Sequence, residues 1–210
     1  MMKSTLLLTC LLGVATTAAS QQQDQEVGGC RIRPGTLCAD ANLNGVDLKG
    51  VNLSRSQLSR SSLVSANLAQ ADLTNANLMR VNLTKANLQR ATLNDANLLG
   101  ANLTGANLYQ VQLNRANLRN AKMGEANLRE TSMLGSDLLS ADLTQAQMQN
   151  ADLQRSDFRT ANLTGASLNG ARLTGANFTQ ANLTNADLRG AVVDGAIFTD
   201  AVTVGCKGCP

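Results

Sequence analysis

Histidine and tryptophan are missing from this sequence altogether, and of its 210 residues only three are phenylalanine and one is tyrosine. Without histidine the chain lacks the commonest general base and the commonest metal ligand, which argues against hydrolytic and zinc chemistry. No catalytic residues and no cofactor are expected. Aromatic content of 2% beside 43% apolar residues requires an aliphatic core. Charge is also thin: 18 basic and 15 acidic side chains give a formal net charge of +3 and never gather into blocks. Such a distribution exerts no strong pull toward nucleic acid or an anionic membrane.

Long apolar runs are scarce too. The one candidate lies at the start, in MMKSTLLLTCLLGVATTAAS, where Lys3 precedes an apolar stretch from Leu6 to Val14 and small residues Ala18, Ala19 and Ser20 lead into polar QQQDQE. That order is the order of a cleavable export signal, predicted over residues 1–20. The stretch is shorter than the roughly 20 residues a permanent span needs, so no stable membrane anchor is expected after cleavage. Lipidation at Cys10 is not expected either, because Thr9 stands where a lipoprotein signal carries Gly or Ala and the apolar run continues past it.

From Ala41 to Asp200 the chain falls into 32 five-residue units (160 residues divided by 5) without an insertion. The central position is Leu in 25 of them, as at Leu43, Leu48 and Leu53, and Met, Phe or Val in the other seven. Two residues earlier stands a small side chain, Ala in 23 units, and the residue between is Asn or Asp in 21. On a helix at about 100° per residue, successive leucines fall about 140° apart and reach every face. On a strand, an odd spacing sends them to opposite faces of the sheet. A chain that turns a corner within each unit brings every leucine to one axis, with Asn, Asp, Gly, Ser and Thr supplying turn chemistry.

This A-[ND]-L-x-x run is similar to the pentapeptide repeat family over residues 41–200. The resemblance implies an all-β fold, a right-handed quadrilateral β-helix with four units to a coil, about eight coils, and the central and small residues both inside. At a strand spacing of about 4.8 Å such a rod would be roughly 38 Å long, rigid and without a cleft. Phe158, Phe178 and Phe198 are all central residues spaced by 20, which stacks them on one side if coils have four sides. Residues 21–40 then form an N-terminal segment and cap, and residues 201–210 a C-terminal cap containing CKGC.

Four cysteines flank the repeats: Cys30 and Cys38 before them, Cys206 and Cys209 after them. On a rod of the implied length, pairing across the ends would far exceed the Cα separation of about 7 Å that a disulfide tolerates. That leaves Cys30 with Cys38 and Cys206 with Cys209, consistent with export to an oxidising compartment. Beside Lys207, the C-x-x-C pair also admits a thiol–disulfide redox role as an alternative function. A zinc site is disfavoured by the spacing from 30 to 38.

Outward positions suggest two surfaces. With four-sided coils, Met79, Leu99, Arg119, Leu139 and Arg159 share one side and Leu134 sits on the next, forming a candidate partner-binding stripe. The last units lose their polar residue, as AVVDG and AIFTD, so Val192, Ile197 and Phe198 form either a buried cap or the face of a homodimer. Triplets at Asn52, Asn82, Asn102, Asn162 and Asn182 match glycosylation acceptors, yet the repeat generates them by itself, and no function is assigned to them.

Some proteins similar to this family protect DNA gyrase by imitating duplex DNA. That requires an acidic surface, whereas the repeats here carry 14 basic and 12 acidic residues, and no nucleic acid partner is expected. Others resemble exported proteins of cyanobacteria and plastid lumens. The reading is therefore a non-catalytic scaffold for an unidentified protein partner, in a periplasm or thylakoid lumen, or alternatively secreted. A single residue inserted near Asn102 should throw every later side chain off the axis and lower the melting temperature by several degrees. An unchanged thermal transition of the insertion variant would contradict the register.

Overall fold

Each five-residue unit makes one side and one corner. In Ala76–Arg80 the Asn77 N–H donates to Ser56 O (2.8 Å), and Leu78 N–H donates to Asn97 O (2.7 Å). Arg80 N–H then donates to Leu99 O (2.9 Å), and Val81 N–H returns to Leu78 O (3.1 Å), closing a β-turn over Met79 and Arg80. The pattern repeats through the computed structural model, which describes residues 25–210. The predicted signal, residues 1–20, lies outside the described residues. Parallel bridges join residues 20 apart, from Leu37 with Gln57 to Asp187 with Lys207. Four units therefore complete one circuit, and the next circuit stacks on it.

Sides this short carry one bridging residue each, so extended strand among the described residues is confined to β1 (Gln25–Val27) and β2 (Cys30–Ile32). The corners explain why. From Asp40 to Asp200 the third turn residue always has a positive φ, 55–61° where it is not glycine. Positive φ at the third position is what glycine or asparagine usually supplies in a β-turn. Glycine holds some corners, but Arg55, Lys85, Gln110, Glu130 and the β-branched Thr160 hold others. The left-handed backbone costs such residues about 1–2 kcal/mol each. It persists because releasing one corner would break hydrogen bonds to the circuits above and below.

Central and small residues fill the interior. Every central residue from Leu43 to Leu188 is at most 1% exposed, and the alanines between them are buried alongside. Burial of one leucine contributes about 1.5–3 kcal/mol before conformational entropy is subtracted. Phe158, Phe178 and Phe198 stack face to face, with ring centroids 4.8 Å and 5.0 Å apart. Hydroxyls replace alanine at a few small positions and donate to the carbonyl 23 residues earlier: Ser61 to Cys38 (2.6 Å), Thr131 to Leu108 (2.8 Å) and Ser136 to Leu113 (2.6 Å).

The two ends differ. At the start, Gly28 and Gly29 both take positive φ, as a two-residue type I′ hairpin turn requires. A Cβ on Gly28 would stand 2.7 Å from Asn42 O, so the hairpin is seated directly on the first circuit. Cys30 and Ile32 point inward from it and are buried. At the other end no described segment covers the last circuit. Val192, Ile197 and Val202 are exposed, and Val193 and Phe198 are only half-buried.

Ser56 tests how much these interior hydroxyls matter, because its buried Oγ has no hydrogen-bond partner among the described residues. Ser56→Ala removes an unsatisfied group and should raise stability by about 1 kcal/mol, whereas Ser136→Ala breaks a made bond and should lower it by about the same. Chemical denaturation of the two variants beside the parent chain reads both signs.

Candidate functional site

The rod offers sides, corners and ends rather than a cleft. Met79, Leu99, Arg119, Leu139 and Arg159 do share one outward row, 20 residues apart, but Met79, Leu99 and Leu139 are half-buried. Leu134, on the adjoining side, is 40% exposed. Both arginines of the row are engaged: Arg119 Nη1 lies 3.3 Å from Asp137 and Arg159 Nη2 lies 2.6 Å from Asp157. The row thus alternates apolar side chains with ion pairs.

Another side carries a ladder of carboxamides. Asn127, Asn107 and Asn87 each donate from Nδ2 to the asparagine one circuit earlier (3.0–3.2 Å), and Asn67 donates to Asp47 (2.8 Å). Their Oδ1 atoms also accept from the backbone N–H two residues on, as Asn87 does from Gln89. A shallow groove of about 300 Å³ opens on this side where Ala69 is small, between Lys49, Gln89 and Arg90. The asparagines of the glycosylation-type triplets are similarly engaged. Asn82, Asn102, Asn162 and Asn182 each accept from the N–H and the hydroxyl of the threonine two residues on, the hydroxyls at 2.6–2.7 Å.

Cys30 and Cys38 are bonded, with Cα atoms 5.5 Å apart, and Thr36 Oγ1 sits 3.1 Å from Cys38 Sγ. Cys206 and Cys209 are bonded as well, with Cα atoms 5.9 Å apart. Between them Gly208 lies on the preceding circuit so closely that a Cβ would stand 2.9 Å from Arg189 N. It occupies a central position, and the half-buried disulfide packs against the core. No group of three or more His, Cys, Asp or Glu side chains that could hold a metal ion occurs among the described residues.

Val192 and Ile197, the sequence-predicted cap or dimer face, are 45% and 47% exposed, and no described segment covers them. Phe198 is half-buried, with one ring face on Phe178. Val202 and Val204, 46% and 70% exposed, extend the patch. The sequence signal for these two was the same loss of polar residues that marked Val192 and Ile197. All four bear on one end of the rod.

The Pentapeptide repeats pattern matches the sequence in eight copies, over residues 41–80, 61–98, 82–120, 121–159 and 161–200. The chain belongs to the pentapeptide repeat family. Members of this family are right-handed quadrilateral β-helices and are generally structural rather than catalytic. This pentapeptide repeat protein is similar to HetL of the cyanobacterium Nostoc sp. strain PCC 7120, involved in heterocyst differentiation regulation: 31% identity over 81% of this chain and 88% of that one, TM-score 0.45. It is similar to QnrB1, a plasmid-mediated fluoroquinolone resistance protein, at 19% identity over 81% of this chain and 80% of that one, TM-score 0.44. A pentapeptide repeat protein of the Arabidopsis thaliana thylakoid lumen shares 25% identity over 66% of this chain and 69% of its own, TM-score 0.17. No curated protein matches the sequence significantly.

Electrostatics on this pentapeptide repeat rod are local. The carboxyls of Asp40, Asp95, Asp157 and Asp187 are held below the ordinary carboxylate range, chiefly by hydrogen bonds from Arg60, Arg115, Arg159 and Arg189. A carboxyl lowered in the folded state contributes stability that is fully present above its unfolded pKa and is lost as pH falls through the folded value. Exposure makes each contribution small. With no histidine to titrate, the melting temperature should stay flat from about pH 5 to about pH 8 and decline only below about pH 4. Calorimetry across that range checks it, and a step near neutral pH would contradict it.

Proposed function

We propose that this chain is an exported, non-catalytic scaffold: a rigid β-helical rod that presents rows of side chains to a protein partner. The observation that carries the reading is the unbroken ladder from Leu37 to Lys207, which fixes outward residues in straight lines at one-circuit spacing. A partner that recognises several points along such a line meets them already ordered, with little conformational entropy left to lose on binding. The row of Met79, Leu99 and Leu139, with Leu134 beside it, combines apolar contact area with arginines and is the best lateral candidate.

Export rests on residues 1–20, and the periplasm or a thylakoid lumen is the proposed destination. Two disulfides fit an oxidising compartment. We assign both to clipping the ends of the rod, the first beneath the hairpin and the second over Leu188. The redox alternative for Cys206 and Cys209 has less support: thioredoxin-like chemistry uses a pair at a helix N-terminus, whereas this pair packs on a β-helical core. Protection of gyrase by DNA mimicry is not adopted, because the repeats lean basic.

Affinity capture from an envelope or lumen fraction, with the tagged parent beside a Leu99→Ser, Leu139→Ser double variant, tests the lateral row. The parent should retain a partner that the double variant loses while its melting temperature stays close to the parent's. Equal recovery by both chains would move recognition elsewhere on the rod.

A further inference from the structure

Arg80 and Lys85 stand at the two corners that bound the unit 81–85. The corners one circuit above them are Gly100 and Gly105, and the stems of both cations pass over these bare positions: a Cβ on either glycine would stand 3.6 Å from Arg80 Cγ or Lys85 Cγ. Lys122 bridges to Asn102 from the circuit above that. Beside it Gly124 interrupts the outward row of Thr84, Thr104 and Thr144. Three cations therefore ring the side formed by residues 101–105, over ground cleared by three glycines. We propose that this ring takes carboxylates from an acidic segment of a protein partner, an inference that rests on the scaffold reading above and adds the chemistry of what docks.

The groups between the cations are unequal in what they still offer. Asn82 Oδ1 and Asn102 Oδ1 each accept twice, from the N–H and the hydroxyl of Thr84 and Thr104. Their Nδ2 groups have no hydrogen-bond partner among the described residues. The side chains of Arg80, Lys85 and Lys122 are exposed and likewise make no ion pair or hydrogen bond there. No carboxylate occurs from Arg80 to Lys85 or from Gly100 to Gly105. With its carboxamide oxygens spent and its donors unused, the patch suits a group that only accepts, and an ionised carboxylate is such a group.

The surroundings select the source of that carboxylate. Leu99 adjoins the ring across the Gly100 corner, and Met79 lies one circuit down the same row, so a segment that reaches the cations also crosses apolar ground. A protein segment can carry both kinds of side chain at that spacing. Further along the side, Glu125 stands over Gly105 and Asp142 bridges to Lys122. An extended anionic surface such as a bilayer, or a long polyanion laid along the rod, would be repelled there, whereas a compact acidic cluster stops short of both. Residues 41–120 carry eight basic and three acidic side chains against six and nine in residues 121–200, so the wider field also draws an acidic group toward Arg80 and Lys85.

The chain supplies its own control. ANLTG occurs again at residues 161–165, on the same side three circuits further along. There the corners beneath are Ser140 and Gln145, and it is the Gln145 stem that lies against Gly165 (3.5 Å to a Cβ). Ser140 and Thr160 bond to each other (2.7 Å), and Asn162 Nδ2 is used by Thr144 Oγ1 (2.9 Å). The second copy of the motif thus lacks both the cations and the unused amide. Recognition belongs to the residues 20 before and 20 after the motif, not to its letters.

Fluorescence anisotropy of a labelled peptide, a run of glutamates followed by leucine, should show saturable binding to the purified chain that weakens as salt is raised. The same peptide with glutamine in place of glutamate should not bind measurably. A triple variant, Arg80→Gln, Lys85→Gln and Lys122→Gln, should bind the acidic peptide about tenfold more weakly. Lys49→Gln, Arg55→Gln and Arg155→Gln together remove the same charge from exposed positions elsewhere and should leave binding at the parent's level. Glu125→Gln should tighten it. Both triple variants should melt with the parent, since every replaced side chain is exposed. Equal binding by the two triple variants would overturn the proposal, as would adsorption to phosphatidylserine vesicles without binding of the peptide. The scaffold reading fails separately, by equal capture with the Leu99→Ser, Leu139→Ser variant, which carries the ring intact.

Discussion

Everything in this molecule depends on the hydrogen bond between one circuit and the next. A five-residue unit has a single bridging residue and a single turn, far too little to fix its own conformation. Stacked on a copy of itself 20 residues away, the same unit satisfies its bridging N–H below and its central N–H above. That arrangement holds the left-handed corners at Arg55, Gln110 and Thr160, which no isolated peptide would favour. It also directs leucine, methionine or phenylalanine to the axis, because a side that bridges both neighbours has only its inner face to bury. Side chains set the diameter of the rod, and the backbone sets its order.

Much of this was legible in the residues. A central residue at every fifth position, with a small residue two before it, named an interior from Leu43 to Phe198, of which the structure buries Leu43 to Leu188 and leaves Val193 and Phe198 half-buried, and the three phenylalanines spaced by 20 hinted at the length of a circuit. Period alone could not give the number of sides, because any polygon with one unit per edge returns the leucine to the axis. The corners were less legible still. Asn, Asp, Gly, Ser and Thr looked like the turn formers, yet the strained position accepts Arg, Lys, Gln and Glu, since the neighbouring circuits supply the constraint that the residue itself does not.

The outward surface was the hardest part to read, for a physical reason. Asparagine before the central leucine looks like an available polar group in the sequence, but its carboxamide is consumed twice, by the turn it closes and by the ladder from Asn127 to Asp47. Arg119 and Arg159 look free and are held by Asp137 and Asp157. At the C-terminal end the reverse holds. Loss of the polar residue at Val192 and Ile197 was visible, but whether something covered them depended on where the ten residues after Asp200 went. They complete the last two sides, bridging through Val202 and Lys207, and leave the outer edge of all four sides uncovered by any described segment.

The four-sided circuit also governs how such a chain can change length. Loss or gain of one whole five-residue unit would leave the leucine at the axis and the ladder closed, yet every residue beyond that point would move round the rod by a quarter turn. Met79 and Leu99 would then no longer line up with Leu139. A change of 20 residues would lengthen or shorten the rod and keep each row straight. The interior therefore tolerates steps of five, while a lateral binding row that spans the join tolerates only steps of twenty, and evolution by slippage can redraw the surface without disturbing the core.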